Sequence, residues 1–128
     1  MNILVVEDET LLAMELAWLV QDAGHAVLGP ERSVDDARRA LERIRVDLAL
    51  LDVTLKGETV FPLVKILDAM DVPVIFVTGN PALLPDEYSW RPLVPKPWQV
   101  PELLSLIPQV VGRHGKGHPN ATGSRRFS

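Results

Sequence analysis

The sequence has no cysteine, so neither a disulfide framework nor a thiolate metal site is available to it. No apolar run approaches the ~20 residues that cross a bilayer. Met1 and Asn2 lead directly into a strand-like run, which leaves no room for a signal peptide. The turn after that run has no glycine-rich loop to cradle a nucleotide. Positive charge is also scarce in the body of the chain. All 17 acids lie before residue 111 beside 9 basic residues, which gives −8, while Arg113, Lys116, Arg125 and Arg126 give the end +4. An acidic body argues against DNA as the main ligand. A cytoplasmic protein with no membrane partner is expected.

What is present has a globular composition. Hydrophobic residues make up 47% of the 128 and charged residues 23%, and this length suits one domain. The expected domain is residues 1–111. Residues 112–128 are polar and glycine-rich, with Phe127 as their large apolar residue, and are expected to form a disordered basic tail.

Short apolar runs alternate with amphipathic stretches. The runs "NILVV", "HAVLG", "DLALLD", "VPVIFVT" and "RPLVP" are apolar at nearly every position, as in parallel strands covered on both faces. Between them, Leu12, Leu16, Leu19, Val20 and Ala23 recur at helical spacing, and Gly24 is a stop signal. "SVDDARRALERI" begins with a cap-like Ser33, has Asp36 three residues on, and sets Val34, Ala37, Leu41 and Ile44 on one face. Residues 58–70 carry Val60, Leu63, Val64 and Leu67. Residues 99–111 carry Leu103, Leu106, Ile107 and Val110, with Pro101 near the start. This β-α alternation predicts an α/β fold, an open doubly wound parallel sheet of five strands with helices on both faces. Leu11, Met14 and Trp18 form a second apolar stripe on the first helix. It fits packing at a loop edge, a kinase helix or a second protomer. His25, His114 and His118 show no ligand spacing and are expected at the surface. Trp90 and Trp98 are expected to pack.

In such sheets ligands bind beyond the carboxyl ends of the strands, and the polar residues can be sorted by those ends. Glu7 and Asp8 follow the first strand, Asp52 the third, Thr78 the fourth and Lys96 the fifth. Crowded carboxylates repel, and one is pushed towards protonation unless a cation sits among them. A carboxylate can act as a nucleophile towards phosphorus, and magnesium prefers carboxylate oxygens and water. Lys96 can neutralise phosphoryl oxygens as a point charge. Thr78 can donate to the same group, and Gly79 beside it leaves the approach open.

"VVEDE", "LLDVTLKG", "FVTGN" and "VPKPW", in this order and spacing, resemble the receiver domain of bacterial two-component response regulators. The resemblance implies a flavodoxin-like receiver with strand order 2-1-3-4-5. It implies that a histidine kinase phosphorylates Asp52. It implies magnesium ligation by Asp8, Asp52 and the backbone carbonyl of Thr54, with Glu7 acting through water. Thr78 becomes the switch hydroxyl and Lys96 the phosphate partner, with a cis Lys96–Pro97 bond. "GETVFPLV", "VPVIFVTGN" and "PLVPKP" further resemble the stand-alone FATGUY-type regulators of alphaproteobacteria, whose kinases are typically of the HWE class. Partners would then be such a kinase and a downstream protein or phosphotransfer protein, with a homodimer as a further arrangement.

Two departures matter. Leu93 stands at the family's switch position, usually aromatic, so the common threonine-to-aromatic coupling cannot operate in its usual form. Only 17 residues separate Thr78 from Lys96, and Pro81, Pro85 and Pro92 interrupt them, so the fourth helix must be short or irregular. Two alternatives stay open. One is a receiver that keeps the residues without being phosphorylated. The other is a small phosphatase of the haloacid dehalogenase type, although Thr54 stands where its second aspartate would be.

Overall fold

The computed structural model describes residues 1–117. The apolar runs become β1 (Asn2–Val6), β2 (Ala26–Glu31) and β3 (Leu48–Leu51). Two short strands follow, β4 (Thr54–Leu55) and β5 (Glu58–Thr59), and then β6 (Val74–Thr78) and β7 (Leu93–Pro95). Five of them form one sheet in the order β2-β1-β3-β6-β7, parallel throughout. Among these five the order is the expected 2-1-3-4-5. The antiparallel β4–β5 ribbon, with Thr54 opposite Thr59, was not anticipated.

Four helices cover the sheet: α1 (Thr10–Asp22), α2 (Val34–Leu41), α3 (Phe61–Ala69) and α4 (Val100–Gly117). Strand alternation assigns the two faces. Ile3, Val5, Leu48, Leu50, Ile75, Val77 and Val94 meet Leu16, Leu19 and Val20 of α1 and Leu103, Ile107 and Val110 of α4. Leu4, Val6, Ala49, Leu51, Val74 and Phe76 point the other way, onto Ala37 and Ala40 of α2 and Leu63, Val64 and Leu67 of α3. Burial on both faces is why the runs lack a polar alternation. Truncating any of these fully buried leucines to alanine would cost about 2–5 kcal/mol.

The helix ends follow the sequence signals closely. At the end of α1, the Gly24 N–H donates to the Gln21 carbonyl at 2.9 Å and the His25 N–H to the Val20 carbonyl at 3.2 Å. Gly24 has φ +100°, so this is a Schellman stop. Ser33 Oγ accepts from the Asp36 N–H at 3.1 Å, which caps α2.

Some boundaries differ from the sequence reading. Helix α2 stops at Leu41, so Ile44 falls past its end and is 44% exposed rather than on the buried face. Residues 58 and 59 enter the ribbon, so α3 starts at Phe61 with Pro62 in its first turn. Helix α4 continues to Gly117 with Pro108 inside it. Residues 112–117, expected in the tail, are therefore helical, and the rest of the tail, with His118, lies outside the described residues.

Between β6 and β7 the chain makes two single 3-10 turns, Pro81–Leu83 and Asp86–Tyr88, in place of a fourth crossover helix. Prolines remove the donors that a continuous helix would need. Tyr88 is the residue of these turns that is buried. Its ring stacks on Phe61 at 4.9 Å with 3° between planes, and Phe76 meets both edge-on at 6.3 Å. Trp98 packs partly buried against the α1–α4 core. Trp90 is half exposed, with the Arg91 guanidinium 4.9 Å from its ring. The Lys96–Pro97 bond is cis, as the resemblance implied, and so is Gly29–Pro30.

Candidate functional site

Strand register brings the polar residues together. Val6 pairs with Leu51, so Glu7 and Asp52 leave adjacent strands side by side, and the Asp52 N–H donates to the Val6 carbonyl at 2.9 Å. Thr78 pairs with Pro95, and the Lys96 N–H donates to the Thr78 carbonyl at 3.0 Å. Glu7, Asp52 and Thr78 are the buried polar side chains among the described residues, at 1%, 8% and 3% exposure. Four of the five strands of the sheet thus deliver their following residue, or their last one, to one place.

The Lys96 ammonium sits between the two buried acids, donating to Glu7 Oε1 at 2.6 Å and to Asp52 Oδ2 at 3.2 Å. The second oxygen of Glu7 accepts from the Glu9 N–H at 3.1 Å. Burial pushes the Asp52 carboxyl up to about 6; the Glu7 charge adds to this, and Lys96 pulls the other way. Burial works against the charged form of Lys96, but the bond to Glu7 and the Asp52 charge outweigh it, so its pKa is raised. Lys96 therefore stays cationic. Thr78 Oγ1 accepts from the Asn80 N–H at 3.1 Å, which ties the hydroxyl to the start of the first 3-10 turn. A Cβ at Gly79 would meet nothing nearer than Lys96 Cβ at 3.7 Å, so the protein itself does not require glycine there.

Glu7, Asp8 and Asp52 each offer a carboxylate oxygen, and these lie within 4.8 Å of one another. Hard oxygen donors in such a cluster fit magnesium. Thr54 opens the ribbon two residues after Asp52, with its side chain exposed. Leu93 is half-buried and packs with Tyr88 against the α2–α3 core, away from the acidic cluster on the α1 side. Leu11, Met14 and Trp18 are exposed, at 77%, 61% and 61%. His25 is partly buried, and burial lowers its pKa, with the nearby N-terminal ammonium adding to the effect. His114 bonds the Asp71 carboxylate at 3.0 Å.

The sequence reading missed two residues near the cluster. Arg32 Nη2 donates to the Asp8 carbonyl at 3.1 Å. Glu58 Oε2 accepts from the Val34 N–H at 2.9 Å. Gly57, with φ +80°, held the signal for the second. Glycine at the second central position of a two-residue connection marks a tight turn, and that turn returns Glu58 beside α2.

Residues 3–107 match the family model described as the response regulator receiver domain. The phyllosphere-induced regulator PhyR of Methylorubrum extorquens is 36% identical over 115 residues, covering 86% of this chain and 43% of that protein. The chain spans about half or less of the length of such curated relatives. Among solved structures, SdrG from Sphingomonas melonis is 30% identical, with TM-score 0.76 over 86% of this chain and 95% of that one. The receiver domain of a sensor histidine kinase from Pseudomonas aeruginosa is 25% identical, with TM-score 0.74 over 87% and 97% of the two chains, and holds a magnesium ion in its active-site cleft.

Proposed function

Because this chain belongs to the response regulator receiver domains, the signalling modules of two-component systems, we propose that Asp52 accepts a phosphoryl group from the phosphohistidine of a histidine kinase. One observation carries the reading. Three carboxylates from two strand ends share a site with one partly buried ammonium from a third, an excess of negative charge that a bound cation would offset.

Asp8, Asp52 and the Thr54 carbonyl would hold magnesium, and Glu7 would contribute its charge through a bound water. Such an ion would offset the charge of the carboxylates and of the incoming phosphoryl oxygens. An Asp52 carboxylate oxygen forms the new P–O bond as the P–N bond breaks, and the electron pair leaves with the imidazole. The phosphoryl group brings roughly −1.5 to −2 charge into the site. Lys96, already within reach of Asp52, meets that charge, and Thr78 turns its hydroxyl to donate. The same geometry supports phosphorylation by small donors and slow self-hydrolysis, without turnover of a separate substrate.

The resemblance to FATGUY-type regulators favours a stand-alone regulator, acting on a downstream protein or a phosphotransfer protein in the cytoplasm. It also favours a kinase of the HWE class. No helix among the described residues is long and apolar enough to cross a membrane.

Acetyl phosphate tests the assignment. With magnesium the protein takes up one phosphoryl group; Asp52→Asn and EDTA abolish labelling, and Lys96→Ala leaves the fold intact while blunting the conformational response. Stoichiometric labelling of the Asn variant would overturn the reading.

A further inference from the structure

The loop between β2 and α2 spans the two chain segments that carry the acidic cluster. On one side Arg32 donates to the backbone carbonyl of Asp8 at 3.1 Å. On the other, two residues later, the Val34 N–H donates to Glu58 Oε2 at 2.9 Å. Glu58 sits in β5 opposite Leu55, and Thr59 sits opposite Thr54. The Val60 N–H closes the base of the ribbon on the Val53 carbonyl at 2.9 Å, one residue beyond Asp52. The three residues from Arg32 to Val34 thus link the Asp8 turn to the segment that runs from Asp52 to Thr54.

The links are not needed to build α2. Ser33 already caps that helix through Asp36, and an exposed Val34 N–H would be satisfied by water. Nor do they bury apolar surface, since Arg32 and Glu58 are both exposed. Their effect falls on spacing. The ribbon is only two residues per strand, too short for its own hydrogen bonds to fix it; buried Val53, Leu55 and Val60 anchor its inner side, and the Val34–Glu58 bond ties its exposed side to α2.

We propose that Arg32 and Glu58 are positioning residues for the metal, a strut that sets the distance between Asp8 and the Thr54 carbonyl. The inference rests on the reading of Asp8, Asp52 and Thr54 as ligands. Magnesium demands near-ideal octahedral geometry at about 2.1 Å, so a loosened ribbon loses affinity even when every ligand is present. Outer partners of ligands in other metal sites contribute about tenfold or more to affinity.

Magnesium titration of the full chain, followed by calorimetry, tests this with three comparisons. Glu58→Ala weakens binding roughly tenfold. Glu58→Gln, which keeps an acceptor for Val34 but not the charge, stays within about twofold of the parent, and so does Ser33→Ala, which removes the other cap of α2. Arg32→Ala weakens binding as well, although loss of a positive charge beside three acids would by itself tighten it. Equal weakening by Ser33→Ala and Glu58→Ala would reduce Glu58 to a helix cap and overturn the strut, as would tighter binding by Arg32→Ala. Amide exchange without metal supplies the independent readout. Glu58→Ala speeds exchange at Val60 and Ser33→Ala does not; unchanged exchange at Val60 overturns the strut. A parent protein that binds no magnesium overturns the ligand reading instead, and the Val60 comparison still decides the strut.

Discussion

At the scale of single residues, Asp52 is held in a condition that opposes folding. Burial, and then the nearby Glu7 charge, push its carboxyl up from the usual 3.8 to about 6 in the folded chain. A raised folded-state pKa in an acid means that its stabilising contribution is complete below about pH 4 and is lost as pH rises through about 6. Above that the ionised group disfavours the metal-free fold. Asp52→Asn is therefore expected to be more stable than the parent by roughly 1–2 kcal/mol at about pH 8, in urea unfolding without metal, and the gap should close by about pH 4. A gap independent of pH would show that the charge is not the cause. Most of this site was legible from the sequence, because Glu7, Asp8, Asp52, Thr78 and Lys96 each follow or end an apolar run, and a parallel sheet brings those ends to one edge. Arg32 and Glu58 were not legible. Each bonds a backbone atom 24 residues away, and a side chain's reach to a distant carbonyl or N–H leaves no periodic trace.

At the scale of elements, the segment between β6 and β7 is where order is cheapest to change. Its internal backbone bonds run to the third residue back, as in Leu83 to Asn80 and Tyr88 to Pro85. Leu83 is 53% exposed. Segments with few buried contacts open at low free energy. Thr78 grips the Asn80 N–H, so a hydroxyl that turns towards a phosphoryl oxygen alters the first bond of this segment. A charge-assisted hydrogen bond of about 1.5–3 kcal/mol suffices to shift such a balance. Residues 80–90 are expected to exchange their amides rapidly in the resting protein, apart from Tyr88, and to slow with magnesium and beryllium fluoride. Equal exchange in both states would remove this segment as the reporter. The prolines made its irregularity legible; the Phe61–Tyr88 stack was not, because an aromatic in a helix start and one in a turn share no pattern until the fold joins them.

At the scale of the whole molecule, two cores sandwich one sheet, and α1 presents Leu11, Met14 and Trp18 outward beside the acidic end. That outward stripe is the apolar part of α1 that its own core does not use, which suits contact with another protein. Trp18→Ala is expected to leave urea stability within about 0.5 kcal/mol of the parent while slowing phosphotransfer from a kinase or reducing oligomer size. If neither the rate nor the size moves, the stripe has no such role. The fold itself was legible because the central strands β1, β3 and β6 are buried on both faces, whereas the β4–β5 ribbon, at two residues per strand, is too short to leave an apolar signature. The two outer strands add a consequence of a different kind. In β7 the Lys96 N–H turns inward to Thr78, so the preceding residue, Pro95, lies where an outward donor would be and supplies none. In β2, Pro30 and the register shift beside Val6 interrupt the opposite margin. A second chain has no unbroken row of donors and acceptors to copy on either side. Among the described residues, association is therefore left to side chains on the helices and loops rather than to strands added at the sheet edges.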